Sequence, residues 1–489
     1  MLLPELDRQS PLATQLYRNI KEGVLTGALP PDYRLPSSRE LADDLKVSRN
    51  TVLCAYDQLL AEGYLESRVG AGTFVAAGIP DQGLRKRRAG KAMQLRPAKL
   101  QARLSALARR LPLGAIGGLR PPDPGLRIDF RYGVPRLEDF PAEDWRMLAA
   151  RHLRHPQKAE LAYAGSAGHL PLREAIARHV WEHRGITCSA EDVIIVNGSQ
   201  QGLDLVARAV LDPGDRVLME NPTYPGARAI FEAMGAEIDH IGVDQGGLDV
   251  EKVRRLQHRV KLAYVTPSHQ FPTGGVMRLS RRLSFLQWAH DSDAFVVEDD
   301  YDSEYRYTGR PIEAIHALDT YGQVIYLGTF SKILAPALRL GYIISPPPLT
   351  ATLQQLKSLA DRHSSTLAQQ VLAEFLSTGL FERHLRRSRT RNASRRQALL
   401  KALQRAFGDS VVVEGANAGV HVLMWLKDWP VARIDEIVER AAQRGIGVYS
   451  IAPFYNGPPP QAGLLLGYSS LDEIEITAGI NALAKALKS

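Results

Sequence analysis

A chain of 489 residues, 45% hydrophobic and 23% charged, has the composition of a soluble globular protein with room for two or more sizeable cores. Its two cysteines, Cys54 and Cys188, exclude a disulfide framework and accord with a reducing cytoplasm. No run approaches the roughly 18 apolar residues of a membrane span, and Met1-Leu-Leu-Pro-Glu5 is no signal peptide, so a cytoplasmic protein without a membrane partner is expected.

The net charge of +8 is unevenly placed. Residues 11–80 carry 7 basic and 8 acidic side chains, whereas residues 82–122 carry 11 basic and no acidic ones. The excess positive charge therefore sits in one stretch, either to attract a polyanion or to solubilise a tether.

Residues 11–78 read as one compact domain. Leu12, Leu16, Ile20 and Val24, spaced by four, predict a helix over Pro11–Thr26 that stops at Gly27 and Pro30-Pro31. Leu35-Pro-Ser-Ser-Arg39 starts a second, short helix with a core face of Leu41, Ala42 and Leu45. After the tight Lys46-Val47 connection, Ser48-Arg-Asn-Thr51 caps a third, buried through Val52, Ala55, Tyr56, Leu59 and Leu60. Tyr64-Leu-Glu and Thr73-Phe-Val flank Val69-Gly-Ala-Gly72 as a hairpin wing. The set predicts a winged helix-turn-helix whose third helix enters the major groove of DNA. Ser37, Arg39, Ser48, Arg49, Thr51 and Gly72 are its candidate DNA contacts; Ser48 and Thr51 can serve as helix caps as well. Leu-Pro-Ser-x-Arg, Val-Ser-Arg-x-Thr-Val, Glu62-Gly-Tyr and Gly-x-Gly-Thr-Phe-Val, in that order, resemble the GntR DNA-binding module.

Residues 79–125 read as a basic, Pro/Gly-containing linker, densest at Arg85-Lys-Arg-Arg88. Leu100, Leu104, Leu107 and Leu111 share one helical face, which predicts a short amphipathic helix over 99–111 packed on its own protein.

From residue 126 to 489 a large α/β unit is expected. Val193–Val196, Arg216–Glu220, Leu262–Val265, Ala294–Val297 and Val324–Leu327 are apolar strands alternating with helices, which predicts a mainly parallel sheet. Beyond about residue 345 the pattern changes to long helices around Arg383–Arg405 and then to a smaller α+β unit. Asn197-Gly-Ser-Gln-Gln201, at a strand–helix junction, offers amides and a helix dipole to a phosphate. The strand Val324–Leu327 empties into Gly328-Thr-Phe-Ser331 and then Lys332, with Arg339 beyond. Small residues and hydroxyls beside a guanidinium form an anion site, and a lysine next to it can form a Schiff base with a carbonyl cofactor. Thirty-three residues upstream of Lys332, Phe295-Val-Val-Glu-Asp-Asp-Tyr301 ends another strand in a carboxylate, Asp299, that can pair with a pyridine nitrogen.

These stretches resemble the fold-type I aminotransferases, and with the N-terminal motifs nearly the whole chain resembles the MocR/GabR subfamily of GntR-type bacterial transcription regulators. The resemblance implies pyridoxal 5'-phosphate as cofactor and Lys332 as its Schiff-base and catalytic lysine. Asp299 would lie on the ring nitrogen, Tyr301 on the ring hydroxyl and Tyr224 against the ring. Ser199, Gln200, Thr329, Ser331 and Arg339 would hold the phosphate. Tyr163 resembles the tyrosine that crosses to the partner subunit's phosphate, implying a homodimer with shared sites, and the family resemblance implies that the DNA-binding domains are swapped between its subunits; Tyr163 and Tyr224 could each also be plain packing aromatics. No metal site is assigned. Aminotransferases have Asn-Pro-x-Gly where this chain has Ser268-His-Gln-Phe-Pro-Thr-Gly274, so Phe271 replaces an asparagine on the ring hydroxyl. The expected function is a regulator that binds operator DNA and senses an amine, or pyridoxal phosphate itself, through Lys332. The alternative is a working aminotransferase carrying a DNA-binding module.

Overall fold

The computed structural model describes residues 7, 9–77, 102–111, 125–154, 156, 158–307 and 312–488, and it divides into two compact units, one up to Leu104 and one from Ser105. Most of the stretch read as a basic linker, including Arg85–Arg88, lies outside the described residues.

In the first unit, α1 (Leu12–Thr26) buries Leu16, Ile20 and Val24, and Gly27 ends it at φ 76°, a conformation that glycine adopts without strain. α2 (Ser38–Leu45) begins at Ser37, whose hydroxyl accepts the Glu40 amide while the Glu40 carboxylate accepts the Ser37 amide. The Ser48 hydroxyl accepts the Thr51 amide at 3.1 Å and opens α3 (Arg49–Ala61). Val52, Ala55, Tyr56 and Leu59 of α3 join the buried cluster formed with Leu16, Ile20 and Leu41. Strands β1 (Leu65–Arg68) and β2 (Gly72–Val75) pair antiparallel as a hairpin, with Val69 fully exposed at its tip. This is the expected helix-turn-helix with its wing. Ser48→Ala should lower the opening free energy of α3 by about 1 kcal/mol through loss of the cap, read as faster amide exchange along that helix.

The second unit starts with a helix shorter than the leucine spacing predicts. Only Ala106–Arg110 is helical among the described residues there, because Ser105 caps it by accepting the Ala108 amide at 3.1 Å. Leu104 lies before that cap, Leu107 and Leu111 are exposed, and Leu100 lies outside the described residues. The helix does pack on its own protein as expected, but through Arg110, which donates to the Ala233 and Met234 carbonyls at 3.4 and 3.2 Å, and not through the leucine stripe.

Strand β3 (Ile128–Asp129) follows. An eight-stranded sheet is then built from β4 (Val193–Val196), β5 (Arg216–Asn221), β6 (Glu237–Asp244), β7 (Gly247–Leu248), β8 (Leu262–Val265), β9 (Phe295–Asp300), β10 (Val324–Thr329) and β11 (Gly341–Ile344). Its order is β4-β11-β10-β9-β8-β5-β6-β7. The central run from β10 to β6 is parallel, and β11 and β7 run antiparallel to their neighbours. Alternate residues of each strand feed opposite apolar layers: Ile194 and Val196 meet the helices Ser199–Val210 and Pro225–Met234, while Val193 and Ile195 meet Leu170–Arg184 and Thr366–Ser377. A sheet covered on both faces explains why these strands read as continuous apolar runs.

The 28-residue helix Leu380–Phe407 leads to β12 (Val411–Glu414), β13 (His421–Leu426), β14 (Ile446–Gly447), β15 (Tyr449–Ser450) and β16 (Gly463–Gly467). A four-stranded antiparallel sheet, β12-β13-β16-β15, packs against that helix and the last one, Glu473–Lys488, while β14 pairs parallel with β3. Among the described residues no helix is long and apolar enough to cross a membrane.

Candidate functional site

The C-terminal ends of the parallel strands converge on a cavity of about 300 Å³. Lys332, Asp299, Tyr301, Tyr224, Ser199, Gln200, Thr329, Ser331 and Arg339, scattered over more than a hundred residues of sequence, all line it. β9 and β10 are hydrogen-bonded neighbours with Asp299 opposite Leu327, which sets the acid-bearing strand end beside the loop that carries Lys332. The neighbouring Asp300 points to the other face of the sheet and pairs with the buried Arg184 at 2.7 Å.

The Lys332 amine donates to the Gly133 carbonyl at 2.8 Å. Burial lowers its pKa from the usual lysine value, against the opposing pull of Asp302 and Asp299, and so favours the neutral, nucleophilic amine. Asp299 is 6% exposed; its Oδ2 accepts the Tyr264 hydroxyl at 2.7 Å, while its Oδ1 is buried without a hydrogen-bond partner. Burial pushes this carboxyl up to about 6. A buried acceptor left open is costly, and it faces a cavity that a donor on a ring could enter.

At the other end, Gly198 at φ 81° precedes the helix Ser199–Val210, and a Cβ there would sit 2.9 Å from the Arg339 guanidinium. Arg339 donates to the Asn197 carbonyl at 2.6 Å. The Thr329 hydroxyl accepts the Ser331 amide at 3.2 Å. Helix-end amides, two hydroxyls and a guanidinium thus ring one corner, the chemistry of an anion cradle. The Gln200 side chain accepts the Tyr224 hydroxyl and donates to the Gly226 carbonyl, each at 3.2 Å, tying Tyr224 to the cradle.

Two expected residues stand differently. The Tyr301 hydroxyl donates to the His269 carbonyl at 3.0 Å and lies 2.9 Å from His269 Nδ1. Tyr163 is 84% exposed, outside the wall of this cavity, with its ring against His363 and Arg362. Phe271 does line the cavity, edge-on to Tyr224 and Tyr301.

Several residues at the site escaped sequence reasoning. Gly133, at φ 71°, supplies the carbonyl for Lys332 and has no space for a side chain, since a Cβ would meet the lysine nitrogen at 2.9 Å. Tyr264 was legible only as part of an apolar strand, although a buried phenol needs a partner. His269 pairs with Asp302 at 3.1 Å, both almost wholly buried, behind Tyr301. Glu220, pushed by burial up to about 7, accepts from the Thr266 amide and hydroxyl and from Gln270, and so holds the Ser268–Gly274 loop.

In the first unit, Arg39, Arg49 and Gly72 are exposed, and Arg49 Nε donates to the Ser38 hydroxyl at 3.3 Å across the turn between α2 and α3. Arg68, on the wing, is held by Asp32 and Glu66 and lies over Phe74.

Residues 12–75 match the model of bacterial regulatory proteins of the gntR family, and residues 128–455 match aminotransferase class I and II. Over 487 residues, 99% of this chain and 96% of the other, it is 39% identical to the probable rhizopine catabolism regulatory protein MocR of Rhizobium meliloti. The chain belongs to the MocR/GabR subfamily of gntR-type regulators. A second relative of this MocR-type chain is the pyridoxine biosynthesis transcriptional regulator PdxR of Corynebacterium glutamicum, 32% identical over 94% of this chain and 93% of its own. The structure of LysN, an α-aminoadipate aminotransferase of Thermus thermophilus complexed with N-(5'-phosphopyridoxyl)-L-leucine, is similar with a TM-score of 0.73 at 32% identity. That similarity covers 80% of this chain and 98% of LysN. The protein is thus a helix-turn-helix transcriptional regulator with an aminotransferase-like domain. Its helix-turn-helix implies DNA binding, and its class I fold implies pyridoxal phosphate binding. The lysine, the open Oδ1 of Asp299 and the anion cradle fit that cofactor's aldehyde, ring nitrogen and phosphate.

Proposed function

We propose that this regulator senses an amine, or pyridoxal phosphate itself, in the cavity around Lys332 and passes the result to its DNA-binding unit. The observation that carries the reading is the buried, unpartnered oxygen of Asp299 in the same cavity as a lysine whose pKa burial lowers. Lys332 would hold pyridoxal phosphate covalently, Asp299 its ring nitrogen and Tyr224 its ring face. Ser199, Gln200, Thr329, Ser331 and Arg339 would hold its phosphate, with Tyr301 on the ring-hydroxyl side. Bound there, the cofactor supplies an aldehyde carbon that amines can attack. An amine effector bound there would free the Lys332 side chain to move, and the change would reach the DNA-binding unit as a coupling between two sites. Tyr163, so exposed in the single chain, would complete the site of the second subunit in a domain-swapped homodimer. The working division is a DNA-binding domain over 11–78, a linker over 79–125 and an effector domain over 126–489.

The PdxR relative, named for pyridoxine biosynthesis, supports a vitamin-sensing form of this reading. Titration of the cofactor-loaded protein with amines, with operator DNA present, tests it: the absorption change and the DNA affinity should move together. Sustained turnover with a keto acid and no effect on DNA would favour the working aminotransferase instead.

On the DNA side, Ser37, Arg39, Ser48, Arg49, Thr51 and Gly72 form the proposed contact set. Arg49→Ala should weaken operator binding by ~1–3 kcal/mol if its guanidinium reads a base edge, measured against a scrambled duplex. Neutralising Arg85–Arg88 should instead flatten the salt dependence of binding, since charges of that kind act through phosphates. An unchanged salt slope would make the linker a solvated tether.

A further inference from the structure

Outside the lining of the cavity around Lys332, His179 and His183 stand one turn apart on the helix Leu170–Arg184, and Glu382 faces them from the start of the helix Leu380–Phe407. A spacing of four puts both imidazoles on one side of the helix, with ring centroids 4.5 Å apart. His179 Nδ1 lies 3.8 Å from one Glu382 oxygen and His183 Nε2 lies 3.5 Å from the other. One ligand atom from each of the three residues falls within 4.8 Å of the other two. These separations are at or beyond hydrogen-bond length. They lie close to the roughly 3.3 Å that separates ligands around a tetrahedral zinc ion bound at about 2.0–2.1 Å.

The remaining nitrogens strengthen the case. His183 Nδ1 is 3.0 Å from the main-chain carbonyl of His179, which leaves Nε2 as the free lone pair facing Glu382. His179 Nε2 faces the Glu304 carboxylate at 4.0 Å, which leaves Nδ1 turned toward Glu382. A carbonyl holds one imidazole, and a carboxylate 4.0 Å behind the other needs a small shift to hold it, the arrangement that orients metal-ligating histidines and makes them basic. The side chains are 6%, 20% and 37% exposed for His179, His183 and Glu382, so one side stays open for an ion and a water.

We propose that His179, His183 and Glu382 bind a divalent transition-metal ion, with water as fourth ligand and Glu304 orienting His179. Two imidazoles and one carboxylate suit zinc rather than magnesium or calcium, which take oxygen shells. The ion would fasten the start of the long helix to the layer beneath the large sheet. It would also touch the sensor site indirectly: Glu304 follows Asp302 in the loop after β9, and the adjoining Tyr305 donates its hydroxyl to the Lys332 carbonyl at 3.2 Å.

The experiment is calorimetric titration of chelator-stripped, full-length protein with Zn²⁺, beside Co²⁺ absorption spectra of the same protein. One ion per chain is expected, bound roughly 100-fold more weakly by His183→Ala and by Glu382→Gln, and ~10–100-fold more weakly by Glu304→Gln. His183 and Glu382 are partly exposed, and circular dichroism checks that their variants fold. Should they not, the wild-type Co²⁺ spectrum decides, since the site requires the intense visible bands of low-coordinate cobalt. Absence of Zn²⁺ binding, equal binding by folded variants, or the spectrum of aqueous cobalt would each overturn the proposal and leave a metal-free histidine–glutamate clasp.

Discussion

Treated with borohydride, the cofactor-loaded wild-type protein should retain its cofactor covalently, and Lys332→Ala should retain none. The amine sits at the end of β10, donates to the Gly133 carbonyl and is kept below its usual pKa by burial, so it is the nucleophile in reach of the cavity. An unchanged yield in the variant would move the covalent role to another amine. Asp299→Asn should act on the same site in two opposite directions. Asp299 is held at about 6 against an ordinary 3.8, because burial disfavours its charge. A carboxyl raised in the folded state lends stability below its unfolded pKa, and that stability is lost as pH rises through about 6. Two units correspond to about 3 kcal/mol as an upper figure, so the cofactor-free asparagine variant should outlast wild type in denaturant at pH 8, with little difference at pH 4. Cofactor affinity should fall, since a neutral amide does not compensate a protonated ring nitrogen. A variant that is no more stable at pH 8 would show that Lys332 and Tyr264 already satisfy the carboxylate.

The difference between what the sequence disclosed and what it hid follows the range of the interactions. Leu16, Ile20 and Val24 announce α1 because burial at a period near four is a local pattern, and Ser48 announces α3 because a cap acts within three residues. The ends of β9 and β10 were legible for a similar reason: an apolar run that stops at acids, hydroxyls or a lysine marks where a buried strand meets a polar cavity. The contact between Lys332 and Gly133 joins residues 199 apart, and a glycine before Val134-Pro135 carries no local sign of it. Tyr264 on Asp299 and His269 on Asp302 are likewise fixed by which strands are neighbours, and strand order is a property of the whole sheet. The predicted 99–111 helix is shorter among the described residues for the converse reason. Its leucine spacing was real, but Ser105 interrupts it with a cap, and spacing alone cannot say whether a face is covered.

Ordinary α-amino acids should be poor effectors. In aminotransferases, and in relatives that sense amino acids, an arginine in an Arg-Leu-Gly-like segment clamps the ligand carboxylate, and its planar fork is hard to replace. Leu464-Leu-Leu-Gly-Tyr468 of this chain resembles that segment, and the resemblance would set Leu465 at the arginine's place. Leu465 is fully buried in β16, paired with Leu423 and Tyr449 inside the apolar core of the small sheet. It offers no charge. A carboxylate buried without its partner carries a penalty of about 3–5 kcal/mol, or a loss of at least ~100-fold in affinity. Three other cations, Arg228, His269 and Arg131, could meet an acidic group, and their surroundings separate them. Arg228 donates to the carbonyls of Tyr455 and Pro453, and His269 is engaged with Asp302 and Tyr301. Arg131 lines the cavity, 3.3 Å from Asp129 and over the Tyr449 ring. An effector with an acidic group would therefore have to draw Arg131 from Asp129, whereas pyridoxal phosphate or an uncharged amine needs no such exchange. A screen of amines and amino acids by absorption, read beside operator affinity and repeated with Arg131→Ala, separates these cases. Loss of response to one acidic amine in that variant would identify Arg131 as its partner, and tight, DNA-coupled binding of a plain α-amino acid would refute the prediction.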